Sequence, residues 1–257
     1  MRRLLVVPMS MLLAVDLLAQ GTSKPIDTDR PDLTESSTLA PRGRVQFEAG
    51  YTWTEANGSS GGAGSATWPE LLVRYGLSNR FELRVGQSLT TLSPPPGQGN
   101  RFTAREDVYL GVKVRLGAQQ GSRPALAFLA QATLPTGDGR LSANTTLPGV
   151  ALLAGWQWSS PWSLDLELGA SRVPGDAWEL APSASLGRSF SSRVRGFAEL
   201  YSLVPLLNES GAPTQHYANS GFAVLLSNNL QLDARVGAGL NDAADRYFVG
   251  FGFAIRR

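Results

Sequence analysis

Between Asp27 and Glu35 the sequence DTDRPDLTE packs Asp27, Asp29, Arg30, Asp32 and Glu35 into nine residues. Such a group could pair with cations, close a gate or hold a polar solute. Its place ahead of the first strand leaves two readings open. It is either a polar plug or periplasmic gate folded into a lumen, where it would meet Arg44, Arg74 or Arg84, or a solvent-exposed tail. A second set of ionisable groups recurs within alternating segments: Arg44 and Glu48; Glu70 and Arg74; Glu82 and Arg84; Asp107, Lys113 and Arg115. Further on come Asp165 and Glu167, Glu179, Arg195 and Glu199, then Asp233 and Arg235. These groups could form a solute-selecting constriction, or cross-strand ion pairs worth a few tenths to about 1 kcal/mol each. With Arg193 included, about nine acids face eight bases, a balance that predicts weak ion selectivity.

Other chemistry is sparse. The chain has no cysteine and one histidine, which removes thiolate and His-cluster metal sites. No cofactor is predicted. His216 stands near Asn219 and Ser220, the residue types of a serine lipid hydrolase. Residues i and i+4 of one strand are ~13 Å apart, far beyond the ~3 Å of a nucleophile–base hydrogen bond. A serine on a neighbouring strand stays open as a partner, and the chain is expected not to be an enzyme. The glycines of PTGDGR (135–140) lack the Lys-Ser/Thr and following helix of a phosphate loop. No motif points to nucleic acid.

The elements that must position these groups are strands. In VQFEAGYTW (45–53) the odd positions are apolar and the even ones polar or small, so one face is greasy and the other wet. Twelve such segments are predicted, near 44–54, 65–76, 80–90, 107–116, 124–134, 147–158, 162–172, 177–187, 193–203, 216–226, 230–239 and 247–256. Most have the length of a tilted strand crossing a bilayer. Short connections such as LSN (77–79) and SNN (227–229) alternate with long ones such as TLSPPPGQGNRFTARE (91–106). That rhythm predicts an all-β, up-and-down antiparallel transmembrane barrel with tight periplasmic turns and longer outer loops.

The side chains fix which face meets lipid. A charge on the lipid face costs up to ~2–4 kcal/mol near the midplane, so the charged set is placed in the lumen: Arg44, Glu48, Glu70, Arg74, Glu82, Arg84, Lys113, Arg115, Asp165, Glu167, Glu199, Asp233 and Arg235. Barrels much wider than about eight strands enclose a cavity or channel rather than a filled core. All six tryptophans fall at strand ends. Trp53, Trp68, Trp178 and Tyr247 are assigned to an outer aromatic girdle, and Tyr75, Trp156, Trp158 and Trp162 to an inner one, since such rings favour the headgroup zone.

MRRLLVVPMSMLLAVDLLA (1–19) has a basic start, an apolar stretch and a small residue before Gln20, the layout of a cleaved signal peptide. Cleavage leaves a net charge near +1, because Arg2, Arg3 and Asp16 go with it. After Ala19 no run is apolar enough to span a bilayer as a helix, so embedding must be by strands. The expected organisation is a leader (1–19), an N-terminal periplasmic segment or lumen plug (20–43) and an outer-membrane barrel (44–257).

Several stretches resemble the outer-membrane transporter family named for the MetA pathway of phenol degradation: TDRPDLTESS (28–37), GRVQFEAGYTW (43–53), RYGLSNRFELRVG (74–86), ATLPTGD (132–138) and the last strands from Leu226 to Arg256. The resemblance implies an outer-membrane barrel passing small, often aromatic or apolar, molecules; it transfers no binding residues. It also implies assembly by the machinery that reads a terminal aromatic, yet this chain ends FGFAIRR, with Arg256 and Arg257 last. The expectation is a passive channel in the bacterial outer membrane, with lipid and a small solute as partners. The rivals are a closed structural or surface-interaction barrel and, remotely, a lipid hydrolase.

Overall fold

A computed structural model describes residues 24–57, 64–94, 97, 99–159, 161–175, 177–206 and 211–257. The expected leader lies outside the described residues, as do 20–23 of the segment after it. Regular structure among the described residues is entirely β. It begins with β1 (Val45–Glu55), β2 (Gly64–Thr67), β3 (Leu71–Gly76), β4 (Phe81–Gln87), β5 (Leu89–Ser93), β6 (Phe102–Arg105) and β7 (Val108–Gly117). It continues with β8 (Ala125–Leu134), β9 (Leu147–Gln157), β10 (Trp162–Arg172) and β11 (Trp178–Ser189). The last four are β12 (Val194–Leu206), β13 (Gln215–Ser227), β14 (Leu230–Gly239) and β15 (Tyr247–Arg256).

Antiparallel pairing runs from β15 back through β7 to β4, β3 and β1, and β1 pairs onto β15. Twelve strands thus close a ring. The closing seam extends from Gln46 opposite Arg256 to Glu55 opposite Tyr247. Val45 and Arg257 exchange main-chain hydrogen bonds of 2.9 and 2.8 Å at its foot. Closure leaves no open edge in the membrane-crossing wall, the condition for crossing lipid with strands.

Two of the predicted segments, 65–76 and 80–90, are broken in two, and a short strand, β6, forms within the expected loop 91–106. β2, β5 and β6 continue β3, β4 and β7 at the end that carries the long loops, and they pair in the order β1–β2–β5–β6. Pro69 explains the first break: it has no N–H for the ladder. At the second, the Ser88 carbonyl accepts from the Glu106 N–H at 2.9 Å. Between β6 and β7, Asp107 precedes the strand rather than starting it, and its carboxylate accepts from the Gly137 and Ala143 N–H groups at 2.8 and 2.9 Å.

The two faces of the wall differ sharply. Glu48, Arg74, Glu82 and Lys113 are 0% exposed, whereas Phe47, Leu83 and Val112, their strand neighbours, are 39%, 40% and 38% exposed. Polar inside and apolar outside inverts a water-soluble fold, and such an outer face is stable only against lipid. Trp68, Trp158, Trp162 and Trp178 are exposed at or near strand ends, as are Tyr75 and Tyr247; Trp53 and Trp156 are half-buried in the same zones.

Candidate functional site

The residues before β1 do not hang free. Segment 24–44 crosses the inside of the ring, and wall carboxylates hold its main chain. Glu48 of β1 accepts from the N–H groups of Asp29 and Arg30, each at 3.1 Å. Across the lumen, Glu199 of β12 accepts from the Leu33 N–H at 2.9 Å and from the Thr34 N–H and hydroxyl at 2.6 Å. Glu167 of β10 takes the Glu35 N–H at 2.8 Å, and Glu82 of β4 takes the Ala40 N–H at 2.5 Å. Strand alternation aims these carboxylates inward. An irregular segment has main-chain donors that no ladder satisfies, and ionised acceptors meet them with short, strong bonds.

Side chains of the segment complete the contact. Asp29 sits among three cations: Arg84 at 2.8 Å, Arg74 at 3.3 Å and Lys113 at 3.3 Å. Burial would raise the Asp29 carboxyl, but Arg74, Lys113 and Arg84 together outweigh it and hold it well below the usual range. Arg74 also grips Glu82 with two bonds of 3.0 Å and reaches Glu48 at 3.0 Å. Glu35 pairs with Arg84 at 2.9 Å and Lys113 at 3.2 Å. Arg30 meets Glu70 at 2.6 Å and Asp233 at 3.3 Å, and Glu70 also meets Arg235 at 3.5 Å. Gly50 and Gly252, paired across β1 and β15, make the floor under Arg30. A methyl at Gly50 would stand 2.2 Å from the guanidinium, and one at Gly252 2.6 Å from it.

Not every contact is charged. Leu39 packs on Ala127, Leu129, Ala151 and Leu153, an apolar stripe of β8 and β9. Asp32 accepts from the Ser185 hydroxyl at 2.6 Å. Burial, then the nearby Glu199, push the Asp32 carboxyl up to about 7.

The segment divides the lumen. A cavity of about 670 Å³ lies on its loop side, lined by Leu71, Leu72, Tyr109, Leu141 and Leu147 together with Glu70 and Arg235. A chamber of about 1110 Å³ lies on its turn side. Arg30 and Asp32 line both. The remaining sequence candidates fall as follows. Asp27, Asp165 and Arg115 line the chamber, and Arg195 is 3.8 Å from Asp165. Arg44 immediately precedes β1 and is exposed. Among the described residues no cluster of His, Asp or Glu is arranged to hold a metal ion.

The family described as "Putative MetA-pathway of phenol degradation" matches residues 28–256, from inside the docked segment to the end of the closing strand. The chain belongs to this family. Its fold is also that of solved outer-membrane barrels. The COG4313 outer membrane channel from Pseudomonas putida F1 is 13% identical, with 85% of this chain and 97% of that one covered and a TM-score of 0.63. The NanC porin is 9% identical, covering 82% and 98%, with a TM-score of 0.56. The KdgM porin in complex with disordered oligogalacturonate is 10% identical over 82% and 98%, at 0.52. No curated protein sequence matches. The chain is an outer-membrane β-barrel.

At the end of β15 the structure gives Arg256 an interior task. Its guanidinium donates to the Lys24 carbonyl at 2.6 Å and to Asn229 Oδ1 at 2.8 Å, tying the start of the segment to the β13–β14 turn. Several other contributors carry no sequence signal of their own. Gln46 donates to the Asp27 carbonyl at 2.8 Å, and Asn219 donates to Glu199 at 2.8 Å. Neutral polar residues at inward strand positions could have been flagged by face alone. His216 does have a serine partner, but on the next strand: register sets it opposite Ser202, and the hydroxyl and Nδ1 are 2.7 Å apart. The His216 main-chain N–H donates to Asn241 Oδ1 at 3.3 Å.

Proposed function

We propose that this barrel is a passive outer-membrane channel for small apolar or aromatic molecules, with residues 24–44 as its lumenal plug. The observation that carries the reading is the docked segment itself, held from several sides with an internal space on each side of it. A purely structural barrel of this width has no need of such a divider. The loop-side cavity adds a chemical reason. Four apolar or aromatic residues (Leu72, Tyr109, Leu141 and Leu147) share it with several charged groups, the usual make-up of a small-molecule site. The family description names phenol degradation, and the P. putida relative is a channel; both support the reading. Delivery to the membrane relies on the leader at 1–19, and the girdle aromatics set the barrel's depth in the bilayer.

The test is uptake at limiting solute by cells with a tight outer membrane, comparing those with and without the protein for a monocyclic aromatic. Faster uptake with the protein is expected, and a variant lacking residues 24–40 should show larger swelling rates for small sugars in proteoliposomes. Equal uptake in both cell types would overturn the channel and favour a closed structural or surface-interaction barrel.

A further inference from the structure

The two lumenal spaces differ in charge. Seven acids and three bases line the loop-side cavity, whereas seven bases and three acids line the turn-side chamber. The acids of the first are already satisfied. Asp29, Glu35, Glu48 and Glu70 meet cations, and Asp32, Glu106 and Asp107 accept from hydroxyl or main-chain donors. Two bases of the second are also partnered, Arg30 by Glu70 and Asp233 and Arg256 by the Lys24 carbonyl and Asn229, but the other five have no close carboxylate. Among the described residues Lys24, Arg42, Arg115 and Arg193 form no ion pair, and Arg195 has one long ion pair, 3.8 Å to Asp165, beside a 3.2 Å bond to the Ser163 hydroxyl.

These cations come from separate elements. Arg115 is on β7, Arg193 is on the β11–β12 turn, Arg195 is on β12, and Lys24 and Arg42 are in the segment. They surround the chamber rather than forming one surface patch. Phe197 of β12, packed over Gly221 of β13, adds an aromatic wall beside Arg195. Arginine presents paired N–H donors that match a carboxylate, and a partly enclosed chamber screens charge less than open water.

The geometry points to the turn-side chamber as a binding site for an organic carboxylate with an aromatic or aliphatic body. The inference rests on the channel reading and narrows it: the site that a solute meets before leaving on the periplasmic side prefers anions. The carboxylate engages Arg115, Arg193 and Arg195, and the apolar body lies against Phe197. The chamber is inside the ring, so its ligand is a dissolved molecule and not a headgroup of the surrounding leaflet.

Calorimetric titration of the full barrel in neutral-detergent micelles with 4-phenylbutyrate and with 4-phenyl-1-butanol tests this. The carboxylate should bind about tenfold more tightly than the alcohol, which corresponds to about 1.4 kcal/mol. The R115Q/R193Q/R195Q variant should lose that preference while keeping its alcohol affinity, and the corresponding triple lysine variant should retain most of it. Equal binding of the two ligands by the unaltered barrel, or an undiminished preference in the glutamine variant, would overturn the anion site and leave the channel reading intact. Binding of neither ligand, with no gain in cellular uptake, would overturn both.

Discussion

Two walls of the lumen hold the same segment by different means. The wall of β1, β3, β4 and β7 offers cations and carboxylates together: Arg74, Arg84 and Lys113 interleave with Glu48 and Glu82, and Asp29 completes the set. The wall of β10–β12 offers carboxylates with few cations. There Glu167 and Glu199 meet main-chain N–H groups of Leu33, Thr34 and Glu35, and Ser185 serves Asp32. The first wall is a closed ionic network in which every buried charge depends on the others. The second is a row of separate charge-assisted hydrogen bonds. Removing one partner from a network strands several buried charges, whereas weakening one bond in a row leaves the rest in place.

That contrast orders the expected effects. Arg74→Ala should be the most damaging change, since it leaves Glu48 and Glu82 buried without their shared cation, a loss of about 3–5 kcal/mol. Urea unfolding of the reconstituted barrel should show the loss, and planar-bilayer recordings should show raised conductance as the segment loosens. Unchanged conductance would argue that the segment does not gate the lumen. Glu199→Gln should cost less, about 1–3 kcal/mol, because one amide oxygen still accepts while the new NH₂ faces donors. Protease access to residues 24–40 should rise, with the unfolding midpoint moving less than in Arg74→Ala. If the two substitutions matched in size, the distinction between network and row would fail.

The smallest effect concerns pH. Asp32 has a carboxyl raised from 3.8 to about 7 when the segment is docked. A raised value means that the docked state binds the proton more tightly, so docking is strongest below pH 3.8 and weakens as pH rises through about 7. Segment release, read as conductance or protease access, should therefore increase modestly between pH 5 and pH 8. Asp32→Asn should flatten that slope. A slope of the opposite sign, or one untouched by the substitution, would shift the titrating group to the other wall.

Much of the first wall was legible in the sequence and little of the second. Glu82, Arg84, Lys113 and the DTDRPDLTE stretch announce themselves as opposite charges on one predicted face. Glu199 and Glu167 were equally visible as inward carboxylates, but their partners are backbone amides, which every residue except proline carries and which leave no mark on composition. The breaks in the second and third segments, and the extra strand β6 ahead of the fourth, divide similarly. Pro69 flags the first, whereas those at Ser88 and Glu106 depend on which carbonyl and which loop stand opposite. The Ser202–His216 contact escaped for the same reason: on one strand the nearest candidate was Ser220, and only register brings Ser202 across.

By itself the sequence determined which side chains of each strand share a face, and that most inward faces would be polar and the outward ones apolar, because side-chain direction on a strand follows from the two-residue repeat and needs no neighbour. Only the tertiary structure decided that the residues ahead of β1 turn back into the ring, which wall carboxylate meets which amide, and that Arg30 rests on Gly50 and Gly252. Those contacts join positions up to 232 residues apart, as Lys24 and Arg256 are. They exist only once the ring has closed and its curvature has aimed separate strands at one point.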